Sequence, residues 1–414
     1  MGTEPPPLDF PFGDWSDTIS PVYALLRDTP QPATRVRTVT GDHAWLVTRY
    51  DVARALLGDP RLSLSAALRP GAPRQEPIAP RAEGTRGDIM ATLRDTGLRS
   101  VMSDALGPRA VRRYHAWTRR QATAMIDGLV RKGPPADLYT GLAVPLPYLV
   151  ACQVLLGELD EEEKRLLNEA CDTVLTWGGP GTEAMTAAIA RMYDFFLRRL
   201  PGLVATPGDH LLRRLAEAEI PAGREGAGGR LSDSELAQVA NVFLIAGYRT
   251  SASFLANALV TLARCPDIVT AVRVDPALIP ATVEELLRRT PMATGGAKRL
   301  ATRDVEIEGL TIKAGECVLF SLESANHDPV AFPDPERFDP GRFSTDRQHC
   351  PHLGFGYGKH HCPGNRLARM QIAAVLEALT APGTPTLRLA GPDAEVPWRP
   401  DVAFRIPETI PVTW

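Results

Sequence analysis

Residues 355–364 read Phe-Gly-Tyr-Gly-Lys-His-His-Cys-Pro-Gly, and this stretch decides the fold. Its glycines allow tight turns and a close approach of the backbone to a ligand. Its single cysteine, Cys362, stands at the mouth of a predicted helix over residues 365–376, where the helix dipole and backbone N–H groups favour a thiolate. A lone cysteine is usually a buried small apolar residue. With these flanks, the pattern instead favours a metal-binding thiolate of the kind that serves as an axial ligand of haem iron.

The composition is that of a large globular protein. Of 414 residues, 44% are hydrophobic and 23% charged, which excludes a disordered chain. The 46 Lys+Arg and 49 Asp+Glu leave a net charge of −3, which argues against a nucleic-acid partner. Six cysteines without a Cys-x-x-Cys pattern exclude a disulfide scaffold and a zinc ribbon. The sequence shows no secretory signal and no run of 18 apolar residues, so we expect a cytoplasmic protein that does not enter a membrane.

Periodicity predicts a single domain over residues 1–414, dominated by helices and completed by small sheets. The first quarter mixes a strand at 44–48 with a helix at 51–57, and a Pro- and Gly-rich loop follows at 69–87. From 88 to 264 the pattern is almost purely helical, and a capping box at 232–235 opens its long, apolar last helix. Beyond Pro291 the period changes to two, which predicts three short strands, at residues 305–307, 310–312 and 318–320.

The cysteine stretch resembles the haem-binding loop of the cytochrome P450 (haem-thiolate) family, Phe-Gly-x-Gly-x-His-x-Cys-x-Gly, at every fixed position. The resemblance covers nearly the whole chain and is to the soluble bacterial type. It implies a mainly α fold, a triangular helical prism in which a long central helix lies over haem b. It also implies that Cys362 is the axial ligand of the metal. The implied haem contacts in the same loop are Phe355, Gly356, Gly364 and His360, the last of these on a propionate.

A second element of the resemblance is structural. Glu285 and Arg288 stand three residues apart, so on a helix they share a face and can pair. The resemblance implies that they belong to the family's Glu-Arg-Arg core. Its third member is then Arg337, with Arg342 as the alternative.

Further propionate contacts are expected from Arg299 and Arg99. Arg299 precedes a predicted strand, and Arg99 ends a segment where the family carries His-x-x-x-Arg. This chain has Asp95 in place of that histidine, and a carboxylate would repel a propionate. Either another cation substitutes or that propionate faces elsewhere, while a plain surface charge is the alternative interpretation of Arg99.

The long helix carries the most informative departure from the family pattern. Residues 242–251 read Val-Phe-Leu-Ile-Ala-Gly-Tyr-Arg-Thr-Ser and align with the oxygen-binding kink, whose pattern is Ala-Gly-x, an acid, then Thr. Ala246, Gly247 and Thr250 are retained, but Arg249 replaces the acid that relays protons, and a guanidinium stays protonated. Arg249 therefore holds an anionic substrate group, leaves the relay to Thr250 and water, or forms a structural ion pair.

The resemblance implies oxidation of a small organic, specialised-metabolite substrate with dioxygen and two electrons from a redox partner. Three alternatives are open: oxidative C–C or C–N coupling without oxygen insertion, a peroxide-driven variant in which Arg249 grips a carboxylate, and a non-catalytic recruiting module. The expected electron donor is a ferredoxin or flavodoxin that docks on Arg112, Arg113, Lys359 and Arg366, and the protein is expected to be a monomer. By position alone, the substrate contacts are Phe243, Met292, Ala293, Thr294, Phe404 and Ile406, together with the loop at 63–87.

Overall fold

The computed structural model describes residues 6–13, 16–75, 89–157, 159–174, 181–205, 208–293, 295–344, 350–391, 395–400 and 404–414. Its backbone contacts divide the chain into two compact units. The first unit contains Met1–Gly87, Ala281–Cys362 and Val402–Arg405, and the second contains Asp88–Pro280, Pro363–Asp401 and Ile406–Trp414. Each unit is thus assembled from segments that lie far apart in the sequence. The expectation of a single domain remains a prediction.

The first unit is built around a six-stranded sheet in the order β1-β2-β3-β9-β6-β4. Its strands are β1 (Leu8–Asp9), β2 (Thr34–Arg37), β3 (His43–Val47), β4 (Leu62–Ser63), β6 (Ala297–Ala301) and β9 (Cys317–Phe320). All four residues of β9 are buried, as expected for an uninterrupted apolar run in a central strand. β9 pairs in parallel with β3 and antiparallel with β6. The pairing of β9 with β3 thus joins the two main segments of this unit, Met1–Gly87 and Ala281–Cys362.

Short helices and a separate hairpin complete the first unit. The hairpin pairs β7 (Val305–Ile307) with β8 (Leu310–Ile312). The helices are α1 (Val22–Arg27), α2 (Tyr50–Gly58), α3 (Leu64–Ala67), α14 (Ile279–Arg289, from Ala281 onward) and α15 (Leu322–Asn326). Tyr50, Leu56, Val318 and Phe332 are among the apolar side chains that pack together in its core. Leu353, which precedes the cysteine loop in the chain, also belongs to this core, so the core contacts the segment that leads to the loop.

The second unit is helical, with one small sheet. Its helices are α4 (Ile89–Asp95), α5 (Arg99–Ala105), α6 (Pro108–Lys132), α7 (Pro145–Leu155), α8 (Glu161–Val174), α9 (Gly181–Ala205), α10 (Leu211–Glu217), α11 (Asp233–Leu244), α12 (Thr250–Arg264), α13 (Pro266–Val274) and α16 (Asn365–Leu379). β11 (Pro411–Thr413) lies between β5 (Ala136–Asp137) and β10 (Arg388–Leu389) in a three-stranded antiparallel sheet. α6 packs along α16, and α11 packs against α9.

Most of the predicted elements are confirmed. The predicted strands match β3, β7, β8 and β9, and the predicted long helix starts at the capping box in which Ser232 and Glu235 exchange hydrogen bonds. That helix is not uniform, because α11 and α12 are joined by a π-helical segment, Ile245–Arg249. The part of the predicted loop beyond residue 75 lies outside the described residues.

Within the described ranges, no single helix is long and apolar enough to cross a membrane. The segments Asp233–Arg264 and Pro266–Val274 meet the length and composition criteria only as a pair, bent by 90°.

Candidate functional site

The loop that carries Cys362 is closed by its own backbone. The Cys362 N–H donates to the Phe355 carbonyl at 3.0 Å, and the His361 N–H donates to Gly358 at 3.0 Å. Residues Gly358–His360 form a single 3₁₀ turn between these contacts. Cys362 is half-buried and stands three residues before α16 in the chain. The backbone therefore presents one cysteine side chain at a defined place in the first unit.

Glycine is required at two points of this loop. Gly356 and Gly358 have φ values of 70° and 74°, in the left-handed region that side chains disfavour. A Cβ on Gly358 would also lie 2.9 Å from the Leu57 carbonyl oxygen of α2. The sequence pattern Gly-x-Gly thus reflects backbone geometry as well as ligand access.

Glu285 and Arg288 form a fully buried bidentate ion pair. Arg288 Nε and Nη2 each donate to one carboxylate oxygen of Glu285 at 2.8 Å, and both side chains have 0% exposure. Arg288 also donates to the carbonyls of Asn326 and Pro335, each at 2.8 Å. Every charged group is therefore met, as a buried pair requires, and α14 is tied to the end of α15 and to the loop at Pro335.

The prediction of Arg337 as the third member of this core is wrong. The Arg337 side chain is exposed, and only its carbonyl approaches Arg288, at 3.5 Å. Arg342 is the arginine beside Glu285, with its Nε 3.5 Å from Oε1 and a side chain that is 12% exposed. Spacing in the sequence does not distinguish Arg337 from Arg342, because both arginines follow a proline in the same turn-rich stretch.

The expected propionate residues lie in different environments. Arg299 is buried on β6 and donates through Nη1 to the Lys298 carbonyl at 2.7 Å. Arg99 is exposed at the start of α5, and Asp95 is exposed with the Arg94 guanidinium 3.5 Å away. His360 is half-buried. Their contact with a propionate remains a prediction.

The π-helical segment places Thr250 at the point where α12 begins. The Thr250 hydroxyl donates to the Ala246 carbonyl, one turn earlier. A hydroxyl that donates in this way can still accept a hydrogen bond. Such π segments interrupt the regular ladder of a helix and are frequent at functional sites.

The helix face around this segment is open. Ala246 is exposed, although α11 and α12 on either side are largely buried, and Phe243 and Thr250 on the same face are half-buried. Apart from Gly247 itself, its two neighbours and the adjacent backbone of its own helix, no atom of the described residues lies within 4 Å of the place where a Cβ on Gly247 would be. Since the exposed Ala246 and the half-buried Gly247 leave apolar surface of this helix uncovered, this face has room for a ligand.

Arg249 does not reach this open face. Its guanidinium is 4% exposed and contacts the Asp172 carboxylate of α8, with Nη1 2.7 Å from Oδ1. Nη1 also donates to the Tyr248 hydroxyl at 3.2 Å, and that hydroxyl in turn donates to Asn168. Burial works against the charge, but Tyr248 and Asp172 outweigh it and raise the pKa of Arg249.

The structure therefore corrects the expectation that Arg249 is a catalytic residue that grips substrate. The guanidinium forms the structural ion pair that was one of the three open interpretations. No sequence pattern identified Asp172 as the partner of Arg249, because the two residues lie on different helical elements that are far apart in the sequence. Asp172, Tyr248 and Asn168 are structural partners of this segment that sequence analysis missed.

The expected substrate contacts separate into groups. In the first unit, Ala293 pairs with Phe404 in an isolated bridge, and the Arg405 N–H donates to the Met292 carbonyl at 2.9 Å. Met292, Ala293 and Phe404 are half-buried and lie together. Ile406 is only 3% exposed, so protein atoms already surround it, which disfavours a substrate contact. Thr294 lies outside the described residues.

The expected docking cations are on the surface. Arg112 on α6, Lys359 in the cysteine loop and Arg366 on α16 are exposed. Arg113 is exposed too, but it pairs with the Asp209 carboxylate and donates to the Asp209 carbonyl at 3.0 Å. The charge of Arg113 is therefore partly neutralised by an ion pair within the chain.

Comparisons with known proteins agree on one family. The cytochrome P450 family model matches residues 204–380. Nocardicin C N-oxygenase from Nocardia uniformis subsp. tsuyamanensis is 37% identical over 408 residues, which cover 98% of each chain. Mycocyclosin synthase from Mycobacterium tuberculosis is 33% identical over 98% of each chain. The solved structure of the putative thioether synthase SgvP has a TM-score of 0.86 and 30% identity, covering 99% of this chain and 100% of its own.

The chain belongs to the cytochrome P450 family, and its fold is the fold of that family. It is a haem-thiolate oxidoreductase of the bacterial monooxygenase type, which oxidises a small organic molecule with dioxygen and electrons from a redox partner. The residues present fit a haem. Among the described residues, no cluster of three or more His, Cys, Asp or Glu side chains could hold a metal ion. A single cysteine sulfur suits iron whose other ligands come from a porphyrin.

Proposed function

We propose that this chain binds haem b through Cys362 and oxygenates a specialised metabolite. The observation that carries the proposal is the closed loop of 355–362, which holds one cysteine in place with the Cys362 N–H on the Phe355 carbonyl. When bound, the haem supplies dioxygen binding and one-electron chemistry at iron, with the thiolate donating electron density. Phe355, Gly356, His360 and Gly364 border the group in this proposal, and Arg299 and Arg99 are its further propionate contacts.

The open face of the long helix is proposed to serve the oxygen side of the reaction. Ala246 and Gly247 leave space there, and the Thr250 hydroxyl holds its proton toward the Ala246 carbonyl while accepting from water or substrate. Arg249 cannot pass protons on, since its charge is fixed by Asp172 and Tyr248. Proton delivery then runs through Thr250 and water, and Arg249 is a positioning residue for the π segment.

The substrate class is inferred from the relatives and from the chain's own apolar contacts. Nocardicin C N-oxygenase and mycocyclosin synthase carry names that point to specialised metabolites. Phe243, Met292, Ala293 and Phe404 are half-buried apolar side chains that suit an apolar ligand of modest size. Thr294 and Ile406 are the weaker members of the proposed set.

For the electron donor we propose an acidic ferredoxin or flavodoxin. The exposed cations Arg112, Lys359 and Arg366 support an electrostatic encounter with a negative partner. A monomeric state and a cytoplasmic location complete the proposal.

Product mass tests the reaction. The purified enzyme is supplied with a surrogate ferredoxin, its reductase and isotopically labelled dioxygen, and candidate metabolites are first screened by the spin-state change of the haem. A product that gains one labelled oxygen atom supports oxygenation. A product that loses two hydrogens and gains no oxygen overturns it and supports oxidative coupling, which the new C–C or C–N bond in the product then identifies.

Oxidative coupling remains the second candidate, because a solved cytochrome P450 with 33% identity and a TM-score of 0.82 is described as having biaryl coupling reactivity. The peroxide-driven alternative required Arg249 to grip a substrate carboxylate. The Asp172 contact removes that support.

A further inference from the structure

Both ring nitrogens of His352 are engaged, at the start of the cysteine loop. The Gly354 N–H donates to Nδ1 at 3.1 Å, so Nδ1 carries no proton. The ring proton is then on Nε2, which donates to Glu284 Oε2 on α14 at 3.0 Å. The imidazole is buried, with 3% of its side chain exposed. A carboxylate on one nitrogen fixes which tautomer the other nitrogen presents.

The turn whose Gly354 N–H donates this hydrogen bond lies close against α14. A Cβ on Gly354 would be 2.7 Å from the Leu287 carbonyl oxygen and 3.0 Å from His352 Nδ1. The backbone at Gly354 therefore has little freedom to move toward α14. Its position is set by the helix on one side and by the imidazole on the other.

From Gly354 the contacts continue directly to the cysteine. The His352 ring packs against Phe355, with centroids 5.9 Å apart, and the Phe355 ring packs against His361 at 6.3 Å. The Phe355 carbonyl accepts the hydrogen bond from the Cys362 N–H. A displacement of Gly354 would move Phe355, and with it the acceptor that closes the loop.

A second link runs in parallel. Asn326 Oδ1 accepts from the Leu353 N–H at 2.7 Å, while the Asn326 carbonyl accepts from Arg288. The buried Glu285–Arg288 pair thus supports Leu353, and the Glu284–His352 pair supports Gly354. Both links start on α14, at Arg288 and Glu284, and they end at the adjacent residues Leu353 and Gly354.

We propose that His352 is a positioning residue for the thiolate loop. It acts by accepting the Gly354 N–H at Nδ1. Glu284 acts through His352, because its carboxylate fixes the tautomer of the ring. The inference rests on the proposed role of Cys362 as the iron ligand. In this inference His352 sets the position of the Phe355 carbonyl, which accepts the Cys362 N–H. The position of that carbonyl in turn affects the stability of the bond between the thiolate and iron.

Three variants at one position separate the two ring nitrogens. In His352→Asn, the amide oxygen can accept from the N–H two residues later, as in an Asx turn, which keeps the Gly354 contact and drops Glu284. In His352→Gln, the longer amide reaches toward Glu284 but gives up the Nδ1 position. His352→Leu removes both contacts. At Glu284, Gln keeps an acceptor for Nε2–H, and Leu removes it.

The readouts are the lifetime of the red-shifted Soret band in the reduced carbon monoxide complex, the reduction potential, and hydrogen exchange of the Gly354 amide. We expect His352→Asn and Glu284→Gln to match the wild-type protein in all three. His352→Leu and His352→Gln should lose the band about fivefold faster and expose the amide to exchange about fivefold faster, the factor that corresponds to one hydrogen bond of about 1 kcal/mol. If the Leu variant does not fold, the Gln variant and Glu284→Leu carry the test.

Tyr50→Phe is the matched control. It removes a hydrogen bond of 2.7 Å to the Pro351 carbonyl in the same segment without touching Gly354. The control should lower the melting temperature and leave the lifetime of the band and the potential unchanged. Wild-type lifetimes in His352→Leu, or equal losses in the Asn and Leu variants, would overturn the inference. Failure of the proposed function would look different, because the wild-type protein itself would then lack the red-shifted band.

Discussion

The Arg249–Asp172 ion pair makes an asymmetric prediction about stability. Arg249 is 4% exposed and Asp172 is 45% exposed, at an N–O distance of 2.7 Å. Asp172→Ala leaves a buried guanidinium without its carboxylate. Breaking one side of a fully buried pair costs about 3–5 kcal/mol, whereas a surface pair is worth at most about 1 kcal/mol. Because one partner is half-exposed, we expect Asp172→Ala to cost about 2 kcal/mol.

Arg249→Met should cost less. The carboxylate of Asp172 can then turn to water, and the methionine adds apolar contacts where the guanidinium lay. What is lost is the hydrogen bond to the Tyr248 hydroxyl and the packing of the guanidinium over the Tyr248 ring, 5.2 Å from its centroid. These contacts together are worth about 1 kcal/mol. The double variant should be more stable than Asp172→Ala alone.

The assay is urea unfolding of the haem-loaded protein for the wild type, both single variants and the double variant. The account predicts an interaction energy between the two sites of at least about 1 kcal/mol, with Asp172→Ala as the more damaging single change. Additive effects, or an Arg249→Met variant that is the less stable of the two, would refute the reasoning. Either result would mean that the guanidinium has another partner in solution.

Three further predictions concern buried ionisable side chains. Removing one partner of the fully buried Glu285–Arg288 pair by Glu285→Ala should cost about 3–5 kcal/mol and yield little haem-loaded protein, and a normal melting temperature would contradict this. Burial lowers the pKa of His327 from 6.5 to about 3, so the unfolded chain takes up this proton first. Stability should therefore fall as the pH drops from 6.5 toward 3, and His327→Gln should flatten that slope in urea titrations. Exchanging the charges in Arg249→Glu with Asp172→Arg should keep an ion pair between α8 and the π segment, so the double variant should be more stable than Asp172→Ala. The product formed per electron consumed should stay unchanged, because side chain 249 does not reach the open face. A double variant no more stable than Asp172→Ala, or one with altered coupling, would contradict this.

The sequence was sufficient for the helices and strands whose apolar period is regular. β9 and the capped start of α11 are examples, because burial and capping are local properties of the chain. The closure of the cysteine loop was also foreseeable, since its glycines stand where the backbone needs positive φ. Features that depend on neighbouring residues, such as helix capping and positive φ, can therefore be predicted from the sequence.

The partner of Arg249 and the arginine that joins the Glu285–Arg288 pair were not foreseeable in the same way. A lone acid such as Asp172 on α8 has no sequence pattern that connects it with Arg249 in the π-helical segment, and Arg337 and Arg342 are equivalent by spacing. Only the packing of separate elements decides which side chains meet. His352 was missed for the same reason, because its role depends on the approach of the loop to α14.

The central claim is that Cys362 is the axial ligand of a haem. The direct measurement is the absorption spectrum of the reduced protein under carbon monoxide, recorded for the wild-type protein and for Cys362→Ser at equal haem content. The account predicts the red-shifted Soret band of thiolate ligation in the wild-type protein and its loss in the variant. A Cys362→Ser protein that keeps that band would contradict the account.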